Sequence, residues 1–398
     1  MEFVALALLI FLIITVQNKV YRSLGLKHLE YECRLSTAEA DQGDEIELVE
    51  VLSNKKWLPL PWLKTEITTS KWLDFAGSQS VVTGATRFVP SFFMLKSHHR
   101  VVRKWRVKCL KRGVFGVNKV TVVATDLLGN TPLSAPMEVD STVTVLPAAV
   151  DLDELFFAAN RLCGDLVVKR HYIPDPFYVS GVREYADYDP MNKIHWSATA
   201  REQRLMVRNN DFTSSQSLAV LINAQTSYPR NYTMTDEELL ETAIRVCATF
   251  LEQTMQSGLP VRLLSYTSAG GEDLPVISTE SWGREHVLDL KRILARLRLN
   301  VTEPFDSFLQ DRCLSLTATD IVVITAYLND EILSFAQRKR YEGARVRLLV
   351  LRSLEEGQEI PDDCEVYCLY EQLHKQPAAA QDPAAKSMPE TERAAGAS

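Results

Sequence analysis

The apolar and polar positions divide the chain into three kinds of segment, and the first is an unbroken apolar run at residues 3–16 (F-V-A-L-A-L-L-I-F-L-I-I-T-V). A helix formed by this run is apolar on every face, which is typical of a membrane segment. The run is shorter than the ~20 residues that normally cross the hydrocarbon core. We therefore predict a short membrane anchor over residues 1–22, with Lys19 and Arg22 reaching the headgroups.

A signal peptide or a buried core helix explains this run less well. A signal peptide carries positive charge before its apolar stretch, whereas Glu2 precedes this one. A buried core helix fits poorly at the N-terminus of an otherwise soluble pattern, because every face of the run is apolar. The positive residues Lys19, Arg22 and Lys27 all follow the run, so the positive-inside bias places the rest of the chain in the cytoplasm. The pattern predicts a single-pass membrane protein.

Residues 29–148 form the second kind of segment, in which apolar and polar residues alternate with the period of a half-buried strand. Residues 45–51 read E-I-E-L-V-E-V, and residues 101–110 alternate apolar and basic side chains. Short strands separated by turn signals predict an antiparallel, immunoglobulin-like β-sandwich. The prolines of residues 54–62 suit an edge strand or a loop.

Residues 217–374 form the third kind of segment, in which strands alternate with helices. The predicted strands are 217–223, 261–268, 320–325, 346–351 and 365–370, and the helices are 236–256, 286–297 and 329–341. This alternation predicts a parallel, Rossmann-type sheet with helices on both faces. Residues 149–216 connect the two domains, and residues 375–398 have the composition of a disordered tail.

Composition and charge narrow the function classes. A net charge of -7 argues against a nucleic-acid binder, which is normally basic. The 7 cysteines have no framework spacing, which indicates reduced thiols in a cytosolic setting. The basic side chains of residues 100–112 have two interpretations: the solvated face of a strand, or a surface held against anionic headgroups.

The densest chemistry lies in residues 178–208, which read Y-V-S-G-V-R-E-Y-A-D-Y-D-P-M-N-K-I-H-W-S-A-T-A-R-E-Q-R-L-M-V-R. The pattern G-x-R-E-Y-x-x-x-D-x-x-x-x-I-H-W-x-x-T-A-R-x-x-x-L-M-V-R resembles the signature of the domain-of-unknown-function family fifty-eight (DUF58). The family usually has Gly-Asp where this chain has Tyr188 and Asp189, and an Arg where it has Asn192 or Lys193. The strand-like flanks and residues 194–202 predict two strands around a short helical turn.

The resemblance implies a setting rather than an activity. Proteins of this family are bacterial and archaeal, are linked to membranes and have a C-terminal half similar to the von Willebrand factor A domain. Their genes often lie beside a MoxR-type AAA+ ATPase and a transglutaminase-like protein. The resemblance therefore implies a MoxR-type ATPase as partner and an envelope protein as client. The sequence has no cofactor-binding motif, so we predict no cofactor.

The von Willebrand A fold binds a metal through D-x-S-x-S after its first strand, and this chain departs from that pattern. The matching positions are Asn223, Gln225 and Ser227, of which only the serine is retained. A hard divalent cation prefers carboxylate oxygens, so we predict that the metal site is degenerate. A metal-dependent (Mg or Mn) adhesion module is the alternative.

A catalytic role would require a nucleophile beside a base. His195 lies close in sequence to Asp189 and Ser197, so a hydrolase is a second alternative, but no nucleophile-elbow, phosphate-loop or zinc-helix motif occurs. A histidine at a strand-to-helix junction is usually a hydrogen-bonded side chain. We therefore predict that the protein is not an enzyme.

Two interpretations of the signature remain open. Arg183, Glu184, Asp189 and Arg201 could form a polar network around Trp196 that fixes local geometry. The same arginines and the tryptophan could instead anchor a partner protein. The predicted interaction residues are Gly181, Arg183, Glu184, Tyr185, Asp189, Trp196, Arg201 and Arg208.

Overall fold

The computed structural model describes residues 2–129, 132–149, 179–186, 191–210, 217–226, 236–269, 274–298, 304–353, 360–361 and 364–370. The chain divides into two compact units. The first unit contains Met1–Val150, Ile244–Gly258 and Thr267–Asn300, and the second contains Asp151–Ala243, Leu259–Tyr266 and Val301–Ser398.

The N-terminal run forms helix α1, Glu2–Leu24, which is longer than the predicted apolar segment. The extra turns form because Tyr21 is buried in the core of the first unit, with Val20 and Leu24 packed beside it. Residues Phe3–Leu24 are long and apolar enough to cross a membrane. By length and composition the same helix also fits a signal sequence.

Ten strands follow α1 in the first unit. They are β1 (Leu29–Leu35), β2 (Glu39–Asp41), β3 (Glu45–Asn54), β4 (Leu60–Ser70), β5 (Leu73–Phe75), β6 (Val81–Thr83), β7 (Thr86–Leu95), β8 (Arg100–Cys109), β9 (Gly113–Thr125) and β10 (Leu133–Leu146). One sheet has the order β1-β3-β8-β5 and the other β2-β10-β9-β4-β7-β6. Except for the parallel β2–β10 pair, these strands are antiparallel, as predicted. Inward-facing side chains of both sheets form one hydrophobic core.

The prediction that the prolines of residues 54–62 mark an edge or a loop is half right. Pro59 precedes β4, but Pro61 lies within it. β4 is an interior strand with β7 on one side and β9 on the other. The register with β7 shifts between Leu60 and Leu63, so Pro61 occupies an irregularity where its missing N–H does not interrupt the ladder.

A carboxylate lies inside the core of the first unit. Glu50 in β3 is fully buried, at a position where alternation would place an apolar residue. Its oxygens accept hydrogen bonds from Tyr31 (3.1 Å) and Trp105 (3.4 Å) of one sheet and from Thr65 (2.5 Å) and Ser91 (3.2 Å) of the other. Desolvation, followed by the charge of Glu50, raises the pKa of Tyr31. Glu50 therefore joins the two sheets through neutral donors.

The rest of the chain adds shorter strands and most of the helices. In chain order these are β11 (Val179–Glu184), a 3₁₀ turn (Met191–Lys193), α2 (Trp196–Glu202), β12 (Met206–Asn210), β13 (Leu218–Ile222), α3 (Glu237–Ser257), β14 (Val261–Ser265), β15 (Val276–Ile277), α4 (Arg284–Arg296), α5 (Phe305–Asp311), β16 (Asp320–Thr325), α6 (Asp330–Tyr341), β17 (Arg345–Val350) and β18 (Glu365–Cys368).

The second unit is organised around a parallel sheet with the order β14-β13-β16-β17-β18. The strand order therefore reverses between β13 and β16. In open sheets of this kind, the crevice at the carboxyl ends of the strands beside such a reversal is the usual place for a site. Asn223 and Gln225 follow β13 at this end.

The basic side chains of residues 100–112 do not all share one surface. The predicted alternation along β8 is confirmed, with Val107 and Cys109 buried and the intervening basic residues exposed. Arg112, however, is buried in the first unit. Its Nη1 donates to the carbonyls of Leu294 (2.6 Å) and Leu297 (3.3 Å) at the carbonyl end of α4.

Candidate functional site

The signature folds into a small motif of two strands and one helix, here called the signature hairpin (β11, α2 and β12). β11 and β12 pair antiparallel, and the backbone N–H of His195 donates to the carbonyl of Met206 at 2.8 Å. Ile194 and Val207 form a bridge and are both buried, so they hold the helix against the strands. The two strands and the helical turn predicted for this stretch are confirmed.

His195 is the N-cap of α2. Its Nδ1 accepts a hydrogen bond from the backbone N–H of Ala198 at 3.1 Å and lies 3.0 Å from the hydroxyl of Ser197. Because Nδ1 accepts from a backbone amide, the ring proton of the neutral imidazole is on Nε2. The lone pair that a general base would use is therefore committed to the helix terminus. The interpretation of His195 as a hydrogen-bonded side chain is confirmed.

Trp196 lies on the surface of the signature hairpin. Its side chain is 69% exposed, and Met191 and Leu205 are exposed as well. Arg201 lies in the last turn of the same helix. Because so much of the indole faces outward, it is not enclosed by the polar network that the sequence suggested. Tryptophan and arginine are both enriched among the residues that contribute most binding energy at protein interfaces.

The other signature residues make local contacts. Nη1 of Arg183 donates to the carbonyl of Glu184 at 3.2 Å, and the Glu184 carboxylate lies 3.7 Å from Arg204. Both partners of that ion pair are largely exposed, so water screens it. The backbone N–H of Tyr185 donates to the carbonyl of Leu205 at 2.8 Å.

Several predicted features fall wholly or partly outside the described residues. Asp189 of the signature and Ser227 of the degenerate metal motif belong to this group. Residues 150–178 of the predicted connector and the whole predicted tail, residues 375–398, do as well. Gly181 and Arg208 lie in the paired strands β11 and β12, but only the backbone of Arg208 is described.

The carboxyl edge of the parallel sheet holds a second group of polar residues, centred on the buried Asn223. The Asn223 Oδ1 accepts hydrogen bonds from the backbone N–H of Gln225 at 2.9 Å and from the hydroxyl of Tyr266 at 3.2 Å. The Asn223 Nδ2 donates to the Thr325 hydroxyl at 3.0 Å, and that hydroxyl donates to the carbonyl of Tyr327 at 2.8 Å. We call this group the edge network.

Aromatic packing encloses the edge network. The Tyr266 ring is fully buried, with ring centroids 5.5 Å from Phe305 and 6.0 Å from Phe308. Desolvation by these surroundings raises the pKa of Tyr266 well above its usual value, so the hydroxyl stays protonated and keeps donating to Asn223. The pattern of the sequence did not reveal α5, which supplies both phenylalanines.

The edge network does not fit a divalent cation. Asn223 offers a neutral oxygen that already accepts two hydrogen bonds, and a hard cation is normally held by several carboxylate or water oxygens. Among the described residues, no group of three or more His, Cys, Asp or Glu side chains is placed to hold a metal ion. We therefore derive no chemistry through a metal at this edge.

Comparison with known sequences agrees with the signature hairpin. Residues 181–368 match the family described as "Protein of unknown function DUF58". The matched region includes β12, the edge network and the parallel sheet up to Cys368. Over these residues the chain is similar to the DUF58 family, for which that description assigns no activity.

One relative is the "Uncharacterized protein YeaD" of Bacillus subtilis (strain 168). It is 20% identical over 335 residues, which cover 82% of this chain and 77% of the relative. The similarity thus extends beyond the matched family region into the first unit. The recognition of the family from the signature is confirmed.

Solved structures are similar only at a low level. A non-cellulosomal cohesin from Archaeoglobus fulgidus is 14% identical with a TM-score of 0.21, covering 32% of this chain and 97% of that one. A GH20 exo-β-N-acetylglucosaminidase from Vibrio harveyi is 10% identical with a TM-score of 0.23, covering 87% of this chain and 80% of that one. Similarities this weak support no inference about fold or function.

Proposed function

We propose that this protein is a non-enzymatic, membrane-anchored scaffold that docks a MoxR-type AAA+ ATPase, or an envelope-protein client, through the signature hairpin. In this proposal α1 is the anchor and both units lie in the cytoplasm. The first unit is an immunoglobulin-like β-sandwich, and the second is a von Willebrand A-like domain whose metal site is degenerate. The MoxR-type partner is carried over from the family.

The exposure of Trp196 is the observation that supports docking most directly. Trp196 is exposed together with Met191 and Leu205, so the hairpin offers apolar area that a bound partner would bury. Trp196 projects from a short helix that is capped by His195 and held by the buried pair Ile194 and Val207. Because the helix is already held in place, Trp196 has less conformational entropy to lose when a partner binds.

The edge network supports a scaffold rather than an adhesion module. Its polar atoms form hydrogen bonds with one another, so an ion could bind Asn223 only by breaking those bonds. His195 similarly supports a non-catalytic role, because its Nδ1 is used to cap a helix. Neither alternative gains an observation in its favour.

The docking experiment uses the full-length protein in nanodiscs and a purified MoxR-type ATPase from the same genome. We expect Trp196→Ala to weaken binding by about 30-fold, since loss of an interface tryptophan commonly costs about 2 kcal/mol. Trp282→Ala is the matched control, because Trp282 in the first unit is also 69% exposed. Failure of the unmodified protein to bind the ATPase would contradict the proposed partner.

The anchor is tested separately by alkaline carbonate extraction of membranes. We expect the unmodified chain to stay with the membrane fraction. Leu9→Lys combined with Leu12→Lys should release it, because each lysine near the centre of a span costs about 2.5–3.5 kcal/mol. An N-terminus that is cleaved on export would show instead that the helix is a signal sequence.

A further inference from the structure

The first unit carries a surface of exposed apolar side chains, here called the aromatic patch. Its members are Trp57, Trp62, Phe92, Met94, Leu127 and Leu128, each more than half exposed. All except Trp57 line one shallow cavity of about 800 Å³. Outward-facing strand positions are normally polar, and a contiguous exposed apolar surface usually marks contact with a protein or a membrane.

The aromatic patch lies at one end of its sheet. Trp62 in β4 pairs with Thr125 at the end of β9, two residues before Leu127. In the neighbouring strand β7, Phe92 and Met94 face outward while Phe93 and Leu95 are buried. The patch therefore spans the adjacent strands β7 and β4 and the turn that follows the next strand, β9.

The end of α1 lies at the same level of this sheet. A Cβ added to Gly25, just after α1, would be 2.8 Å from the Cδ1 of Leu133. Leu133 in β10 pairs with Ala124 in β9, and Ala124 pairs with Leu63 in β4. Because adjacent strands are about 4.8 Å apart, the contact with α1 and the start of the patch are separated by about 10 Å across the sheet.

Polar contacts fix the end of α1 to the segment that carries Trp57. The buried Lys56 ammonium donates to the carbonyls of Gly25 (2.7 Å) and Lys27 (2.8 Å). The Tyr21 hydroxyl donates to the carbonyl of Pro59 at 3.0 Å. A cation at the carbonyl end of a helix is also favoured by the helix dipole. The helix therefore does not enter the first unit through a flexible linker.

The length of α1 brings the bilayer to this end of the unit. Residues 3–20 rise about 27 Å at 1.5 Å per residue, slightly less than the ~30 Å hydrocarbon core. The next residue, Tyr21, is already buried in the first unit. A spanning α1 has no spare length to hold the unit away from the membrane, so this end of the unit must lie at the headgroups.

We infer that the aromatic patch inserts into the headgroup region of the bilayer that α1 crosses. The inference rests on the proposed anchor. Tryptophan is enriched at membrane interfaces, where its ring is buried and its N–H stays hydrated. The exposed Lys19, Arg22 and Lys27 at the end of α1 place positive charge at the same level. The bilayer thus holds the first unit at two places, the helix and the patch.

The test measures tryptophan fluorescence of the full-length protein in vesicles of phosphatidylcholine and phosphatidylglycerol. Phospholipids brominated near the headgroup end of the acyl chains quench tryptophans that contact the interface. We expect quenching in the unmodified protein and loss of most of it in the double variant Trp57→Phe and Trp62→Phe. The matched control carries Trp196→Phe and Trp282→Phe, which should leave quenching unchanged.

Carbonate extraction of the same samples separates the two proposals. If the protein resists extraction but the fluorescence of Trp57 and Trp62 is not quenched, α1 is an anchor and the inference about the aromatic patch is wrong. If the protein is extracted, both the proposed anchor and the inserted aromatic patch are wrong. Mass photometry in nanodiscs measures self-association. If the protein self-associates through Phe92 and Met94 and shows no such quenching, the patch binds a second copy of the chain and not the bilayer. A urea midpoint equal to that of the unmodified protein would show that the variant with Trp57→Phe and Trp62→Phe still folds.

Discussion

The edge network and the signature hairpin both contain residues that sequence patterns single out. In the edge network these residues are enclosed and hydrogen-bonded, whereas in the hairpin they are exposed. Around Asn223, each donor faces an acceptor inside the second unit, and Tyr266 closes the group against two phenylalanines. In the hairpin, Trp196 is exposed and the ion pair of Glu184 and Arg204 is open to water. A closed network stabilises a fold, whereas an open surface is available to a partner.

The comparison also explains why motif position alone does not reveal function. Asn223 is the first position of the predicted degenerate metal motif, yet its oxygen accepts a backbone hydrogen bond that orders the chain after β13. His195 stands beside a serine, yet its Nδ1 is used to start a helix. In both cases the local hydrogen-bond partners, not the residue type, decide the role.

The largest expected effect is on the edge network. Asn223→Ala removes the acceptor of Gln225 and Tyr266 and the donor to Thr325, so we expect a loss of about 2–3 kcal/mol in the free energy of unfolding. Urea denaturation measures this change. Asn192→Ala, the same substitution at an exposed position of the hairpin, should stay within about 0.5 kcal/mol. Equal effects at the two positions would remove the distinction between closed and open regions.

The next effect concerns pH. Burial holds the pKa of Tyr266 well above about 10, whereas the unfolded chain ionises this tyrosine near that value. Its contribution to stability is therefore complete below about pH 10 and is lost as the pH rises toward the folded pKa. Urea midpoints measured between about pH 8 and 11 should fall more steeply for the unmodified protein than for Tyr266→Phe. Parallel curves would mean that Tyr266 is not enclosed.

A smaller effect is expected at the start of α2. His195→Ala removes the N-cap acceptor of Ala198 and should lower stability by about 1 kcal/mol. His195→Asn retains a capping oxygen and should recover most of that loss. Hydrogen exchange of the Ala198 amide reports the cap directly. If both variants exchanged at the unmodified rate, the cap would not exist in solution.

The smallest effect is expected at Trp196. Because its side chain is largely exposed, Trp196→Ala should change the free energy of unfolding by no more than about 0.5 kcal/mol. The same variant is expected to weaken partner binding strongly, so the two measurements together separate a docking residue from a structural one. A stability loss comparable with that of Asn223→Ala would place Trp196 in the fold rather than at an interface.

Several elements follow from local pattern alone. The limits of β16 agree with the prediction at both ends, since a continuous apolar run bounded by polar residues admits little else. Asn329 caps α6 through its side chain, and Gly343 closes that helix with a positive φ of 97°, as its sequence signals indicate. The period of β8 likewise separates buried from basic positions correctly.

Other features depend on residues that are distant in the chain. Glu50 is an acidic residue in an alternating strand, and only its donors from four other strands make its burial tolerable. Arg112 belongs by sequence to a basic surface, but the carbonyl end of α4 draws it into the first unit. No local pattern reports a partner nearly two hundred positions away.

The sequence by itself determined the apolar N-terminal helix, the change from alternating strands to strands with helices, and the family, because these depend on the order of neighbouring residues. The tertiary structure alone decided which polar groups are satisfied and which remain exposed. It closed Asn223 and Glu50 within networks, left Trp196 on a surface, and fixed the end of α1 beside the aromatic patch. The physical reason is that hydrogen bonding and burial depend on proximity in space, which a linear sequence does not specify.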